Sequence, residues 1–244
     1  MAVVERTKVH AGTAEFQDVS EFFESRNVVH GKKLQVVSIE RVHNGALEQR
    51  FKDKTQEYKQ TFGQVRIVRA WHGTKKLNVA PILRNNFDVT KHGQSVGHRF
   101  GAGVSFSSMS GYASNYCDKT HSACMLLANV LVSNVVEVPE NTGSRVPREP
   151  PFLPGRYPLR YDTTAKNKDT MDVFVKFDKD SFLPTHVVNF RRCAAPILYS
   201  YEEEDEEDDD DKSVTDTDSD YQVDDNFDDY NAFYGFGAAD DEDD

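Results

Sequence analysis

The sequence predicts an α+β fold built from mainly antiparallel sheets with flanking helices. Helical periodicity falls mostly in the first 90 residues, and the later apolar runs are short or alternate as strands do. No strand–helix–strand unit repeats in the way a parallel sheet requires. With 244 residues, the chain suits one domain of about 200 residues and a tail.

Thr13 is placed to cap a first helix, in which Phe16, Val19, Phe22 and Phe23 share one face and cover a core. Leu34–Val42 reads as a strand, with Leu34, Val36 and Ser38 on one side and Val37 and Ile39 on the other. Asn44-Gly45 then punctuates the chain before a charged helix over Ala46–Phe62. Val65–Ala70 is a strand leading into Trp71-His72-Gly73-Thr74, so His72 is expected at a strand end. A short helix follows over Asn78–Phe87, with Pro81 in its first turn. Asp88–Gly103 carries Gly93, Gly97, Gly101 and Gly103 and reads as a loop. Next come a short strand, Val104–Ser107, a helix, Met109–Tyr116, and a long apolar strand, Cys124–Val132. The Pro- and Arg-rich stretch Val138–Thr164 is irregular. Val173–Phe177 and His186–Phe190 are strands separated by a turn with Asp178, Asp180 and Pro184.

Charge divides the chain in two. From Tyr201 to Asp244 there are 22 acidic residues and one basic, Lys212, a formal charge of −21. The first 200 residues hold 28 basic and 19 acidic side chains, or +9. A basic body attracts phosphate-rich ligands, while a run such as Glu202–Asp211 cannot bury a core and is expected to be disordered. The domains are therefore expected at 1–200 and 201–244. Three cysteines, Cys117, Cys124 and Cys193, form no disulfide framework and point to a reducing compartment, nucleus or cytoplasm. Met1–Glu15 has no leader-like apolar stretch, and no run of about 18 apolar residues occurs, so no membrane partner is expected.

The glycines at 97, 101 and 103 do not make a dinucleotide-fold fingerprint, because the last one precedes a strand rather than opening a helix. Cys117, His121, Cys124 and Cys193 lack the spacing of a zinc site, and no metal is expected. The informative pattern is an ordered set. His72-Gly73-Thr74 ends a strand; Phe100-Gly101-Ala102-Gly103-Val104-Ser105-Phe106 begins another; Tyr116 closes the next helix; Val173-Phe174-Val175-Lys176-Phe177 comes near the end.

This set resembles the catalytic domain of the poly(ADP-ribose) polymerase family, in its mono-ADP-ribosyltransferase branch, from about Glu15 to Phe190. Ile39-Glu40-Arg41-Val42-His43-Asn44 and Tyr161-Asp162-Thr163-Thr164 also look like family segments. The resemblance implies an ADP-ribosyltransferase-like fold that takes NAD as a substrate rather than as a redox cofactor. It implies that His72 and Thr74 meet the adenosine ribose, that the Gly73 backbone pairs with the nicotinamide carboxamide, and that Tyr116 stacks on the nicotinamide ring. Gly103 and Ser105 would line the same NAD-binding site.

Three positions depart from the polymerizing pattern. Ser105 stands where those members carry a second stacking tyrosine, and Val173 where they carry a glutamate. Ala113 aligns with a carboxamide-binding serine, a role that a one-residue shift would give to Ser114. The catalytic triad thus reads His72, Ser105 and Val173. A valine can neither stabilise oxocarbenium character at C1′ nor activate a hydroxyl for chain growth, so polymer synthesis is not expected. The activity implied is transfer of one ADP-ribose to a protein acceptor, with nucleic acid as a further acceptor class. The rival readings are a pseudoenzyme that binds NAD, ADP-ribose or a partner without turnover, and an interaction protein working through its tail. That tail scatters Tyr221, Phe227, Tyr230, Phe233, Tyr234 and Phe236 among aspartates, a composition suited to a basic protein partner. Ser213, Thr215 and Thr217 each precede an acid by three residues, as acidophilic kinases favour.

Overall fold

The computed structural model describes residues 3–29, 32–91, 99–141 and 148–194, all within the unit Met1–Ala195. The acidic segment, and the Gly93 and Gly97 part of the glycine loop, lie outside the described residues.

A six-stranded sheet has the order β1 (Glu5–Val9), β3 (Lys32–His43), β10 (Phe182–Ala194), β6 (Ser122–Val132), β4 (Arg66–Gly73), with the short β2 (Val28–Val29) beside β3. A four-stranded sheet has the order β5 (Val104–Phe106), β9 (Phe174–Lys176), β8 (Thr163–Ala165), β7 (Val135–Glu137). Every pairing is antiparallel except that of β7 with β8. The α+β class with mainly antiparallel sheets is therefore the observed one.

Helix α1 (Ala14–Glu24) starts as expected, with Thr13 Oγ1 accepting from the Phe16 N–H at 3.2 Å. It lays Val19 and Phe23 on one face of the large sheet, against Trp71, Met125, Leu127 and Phe190. On the other face, α3 (Lys76–Asn85) contributes Val79 and Leu83 to a core shared with Leu126, Ala128 and Val130 of β6 and Phe106 and Phe174 of the small sheet. Strand β6 is buried on both faces, which is why it reads as a long apolar run broken only at Asn129 after Ser122. Helix α2 (Gly45–Phe62) packs Phe51 and Tyr58 on Leu131. Asn44 joins α2 to α3: its Oδ1 accepts from the Leu47 N–H and its Nδ2 donates to the Leu83 carbonyl at 2.9 Å.

Three local expectations are corrected. Helix α3 begins at Lys76 rather than Asn78, so Pro81 lies beyond the first turn and leaves the carbonyl of the exposed Leu77 without a helical donor. Pro184 is not in a turn but within β10, at a register shift opposite β6. In β3 the simple alternation fails because Asn189 pairs with Ser38 and Phe190 with Val36, which bulges out Val37. Leu34, Val36 and Ile39 consequently share the α1 face, and Val37 is exposed.

Candidate active site

Strand β4 is the edge of the large sheet, paired with β6 as far as Gly73. Trp71 and Ser107 exchange backbone hydrogen bonds of 2.8 and 2.9 Å, stitching the edge of the large sheet to the end of β5. The next residue, His72, is thereby brought against Ser105. His72 Nδ1 lies 3.0 Å from the Ser105 carbonyl oxygen, and since a carbonyl can only accept, Nδ1 carries the proton. The ring packs edge-on against Phe87 and tilted against Phe106. Burial lowers its pKa from the usual 6.5 to about 4, outweighing the opposite pull of the Ser105 carbonyl. At neutral pH the imidazole is uncharged, and Nε2, which has no protein partner among the described residues, presents a lone pair. It can accept from a hydroxyl but cannot donate.

Beside it, Gly73 has no room for a side chain. A Cβ there would stand 1.8 Å from the Ala113 carbonyl oxygen and 3.1 Å from Tyr116 Cβ. The helix α4 (Ser110–Ala113) and the following 3-10 turn, Ser114–Tyr116, therefore press directly on the strand end, and the glycine is required by that approach. Thr74 is buried, and its hydroxyl oxygen accepts from Asn78 Nδ2 at 3.1 Å, which leaves its own proton to donate.

The outer face of the small sheet forms the second wall. Ser105 pairs with Val175, so their side chains share a face, and Val173, two residues earlier, lies on that face too. Val173 is 3 % exposed and clusters with Phe100 and Val175, flanked by Tyr112, Val138 and Phe177. Tyr112 and Tyr116 link their hydroxyls at 3.0 Å, with rings 5.7 Å apart. Burial raises the pKa of both phenols, which stay neutral. The sequence reading passed over Tyr112; its four-residue spacing from Tyr116 on one helix face was the available signal.

Two expected site residues prove to be held by the fold. Ser114 is 1 % exposed and its hydroxyl donates to the Gly111 carbonyl at 2.7 Å, so its only proton is committed inside its own helix rather than offered to a carboxamide. Gly103 is a glycine because a Cβ would stand 2.2 Å from the Lys176 carbonyl; β9, not a ligand, fills that space. His72, Gly73, Ser105 and Tyr116 do converge, with Thr74 adjoining and Val173 on the shared wall. Among the described residues no group of three or more His, Cys, Asp or Glu is arranged to hold a metal.

A strand-end histidine locked as an acceptor, a glycine backbone pressed against the turn that carries Tyr116, and the Ser105 face of the small sheet thus meet at one place in the fold. The family model described as "Poly(ADP-ribose) polymerase catalytic domain" matches residues 13–151, more than half of the chain, and the chain belongs to this family. The match contains every expected NAD-binding residue and stops short of Val173. Similar curated proteins include protein mono-ADP-ribosyltransferase PARP10 of Mus musculus, 28 % identical over 178 residues, which are 71 % of this chain and 18 % of that protein. Protein mono-ADP-ribosyltransferase PARP12 of Homo sapiens is 30 % identical over 164 residues, 66 % of this chain and 22 % of that protein. Protein mono-ADP-ribosyltransferase PARP11 of Mus musculus is 26 % identical over 204 residues, 73 % of this chain and 58 % of that protein. The matched regions thus span about a fifth of the first two relatives.

Proposed function

We propose that this chain binds NAD and transfers one ADP-ribose to a protein acceptor, releasing nicotinamide. The observation that carries the reading is His72. Its proton is spent on Ser105 and its ring is kept neutral by burial, so Nε2 is a fixed acceptor for an adenosine ribose hydroxyl. Thr74 donates beside it, the Gly73 backbone faces the carboxamide, and Tyr116 stacks on the nicotinamide ring. In the reaction the bond from C1′ to the nicotinamide nitrogen breaks as the acceptor attacks C1′, and oxocarbenium character develops between these groups. Hydrocarbon at Val173 offers no base to a hydroxyl of the attached ADP-ribose, so transfer stops after one unit.

A second reading, NAD binding without turnover, draws on Ser105 and Val173, which leave the pocket with neither a second stacking ring nor a carboxylate at those positions. Incubation with labelled NAD separates the two. Transfer gives label on protein in single units with stoichiometric nicotinamide; binding alone gives saturable affinity and no nicotinamide. His72→Ala is expected to weaken NAD binding at least tenfold in calorimetric titration of folded protein. Equal affinity for wild type and variant, or ladders of long product made by this chain alone, would contradict the assignment. Parallel reactions with RNA and protein acceptors decide the acceptor class.

A further inference from the structure

A pocket with a single stacking ring depends on how firmly that ring is aimed. We infer that Tyr112 is the positioning residue of the NAD site, holding the Tyr116 ring in the orientation that meets nicotinamide. This rests on the reading of the chain as an NAD-binding protein with Tyr116 on the nicotinamide ring. The turn that carries both tyrosines is fixed through its backbone and its small side chains. The Ser110 hydroxyl donates to the Phe23 carbonyl at 2.5 Å, and the Gly111 N–H to the Arg26 carbonyl at 2.9 Å, at and just beyond the end of α1. From β10, Arg192 Nη2 donates to the Ser114 carbonyl at 3.0 Å. On the Gly73 side, the Ala113 carbonyl and Tyr116 Cβ close off the space a side chain would need. The root of Tyr116 is thus set by the fold, but none of these contacts reaches its ring.

Tyr112 does reach it. Its hydroxyl lies 3.0 Å from the Tyr116 hydroxyl, with the ring centroids 5.7 Å apart and the planes inclined at 55°. Among the described residues the Tyr116 hydroxyl has no other hydrogen-bond partner. Burial raises the pKa of both phenols, so a proton always lies between the two oxygens. Tyr112 is itself held, because its ring packs against the cluster of Phe100, Val173 and Val175. Val175 pairs with Ser105, so Tyr112 links the Ser105 face of the small sheet to the tip of Tyr116. With a serine at 105, no second ring on that strand compensates for a loose Tyr116. Without the hydroxyl bond the Tyr116 ring samples other rotamers, and ordering it on binding costs affinity.

The test is calorimetric titration of folded wild type, Tyr112→Phe, Tyr116→Phe and the double variant, with NAD and with ADP-ribose, which lacks the nicotinamide ring. Each single change removes one hydroxyl and keeps both rings. Tyr112→Phe is expected to weaken NAD binding on the order of fivefold, as one lost hydrogen bond does, and to leave ADP-ribose within about twofold. Tyr116→Phe breaks the same bond from the other side and is expected to show the same selective loss. The double variant is expected to lose no more than either single one. NAD affinities of both single variants equal to that of wild type overturn the inference. An equal loss for NAD and ADP-ribose also overturns it, by marking a merely structural tyrosine, and so do additive losses in the double variant, since the two hydroxyls then act separately. A wild type that binds neither ligand overturns the NAD-binding reading itself, and this inference with it.

Discussion

At Ser105 the strand presents a small side chain on the face that carries Val175 and Val173, while its carbonyl holds His72 in place. The backbone role is indifferent to the side chain, so position 105 can be changed without loosening the histidine. Ser105→Tyr is expected to add one stacking contact of about 1 kcal/mol and tighten NAD binding on the order of fivefold. It is also expected to raise transfer relative to hydrolysis as water is excluded. Titration calorimetry and product analysis measure both, and weaker binding by a folded variant would move the nicotinamide away from β5. His72 was legible as a candidate NAD contact from its motif. Its role as acceptor rather than donor was not, because that depends on a carbonyl 33 residues away.

Among the elements, the small sheet is fastened from within by Lys176 on β9. Its ammonium, fully buried, lies 2.6 Å from Asp162 Oδ2, 3.0 Å from Thr163 Oγ1 and 3.3 Å from the Tyr58 hydroxyl of α2. Asp162 also accepts from the Ser133 and Asn134 N–H groups, anchoring the turn between β6 and β7. Thr164 donates to the Phe100 carbonyl at 2.6 Å and so fixes the segment that walls the pocket. The Tyr161–Thr164 stretch, recognisable only as a family segment in sequence, is thus the joint between α2, the small sheet and the pocket wall. Lys176→Met leaves the buried Asp162 charge without its counter-ion and is expected to cost about 3–5 kcal/mol in urea denaturation. A loss under 1 kcal/mol would show that the remaining donors, the Ser133 and Asn134 N–H groups and the Thr163 hydroxyl, satisfy Asp162.

For the described molecule as a whole, the titrations of His72 and Glu15 contribute to the response to acid, beside that of His186, whose pKa burial also lowers. His72 is neutral in the fold with a pKa near 4 against 6.5 when unfolded, so the unfolded chain takes up the proton first. Its stabilising contribution is complete above about pH 6.5 and is lost as pH falls toward 4. Glu15 follows lower down. Arg41 chiefly, and His186 next, hold its carboxyl near 2 instead of 4.5, and that contribution is lost between 4.5 and 2. Destabilisation is therefore expected to begin well above the carboxylate range, with about 1 kcal/mol gone between pH 7.5 and 5.5. Urea midpoints at the two pH values measure it, and His72→Gln is expected to remove the His72 share of the difference and leave that of His186. An undiminished difference in that variant would assign the effect elsewhere.

The sequence by itself determined the helices α1 and α2 and the strands β4 and β6, because periodicity and caps are local properties of the chain, whereas the meeting of His72-Gly73 with Ser105 and Tyr116 was only what the family resemblance implied. It also determined the loss of a carboxylate at Val173. Strands β1, β7 and β8 were missed, being short or set in polar and proline-rich sequence, where pairing rather than propensity makes a strand. Only the tertiary structure decided the bulge at Val37, the burial of Ser114 and the reason for Gly73, each of which depends on a neighbour distant in sequence. It likewise brought Glu140 into an ion pair with Arg99. A proline-rich excursion carries no periodicity from which such a meeting could be read, and its position is set by the backbone bonds of Val138 and Asn141 to segments from other parts of the chain.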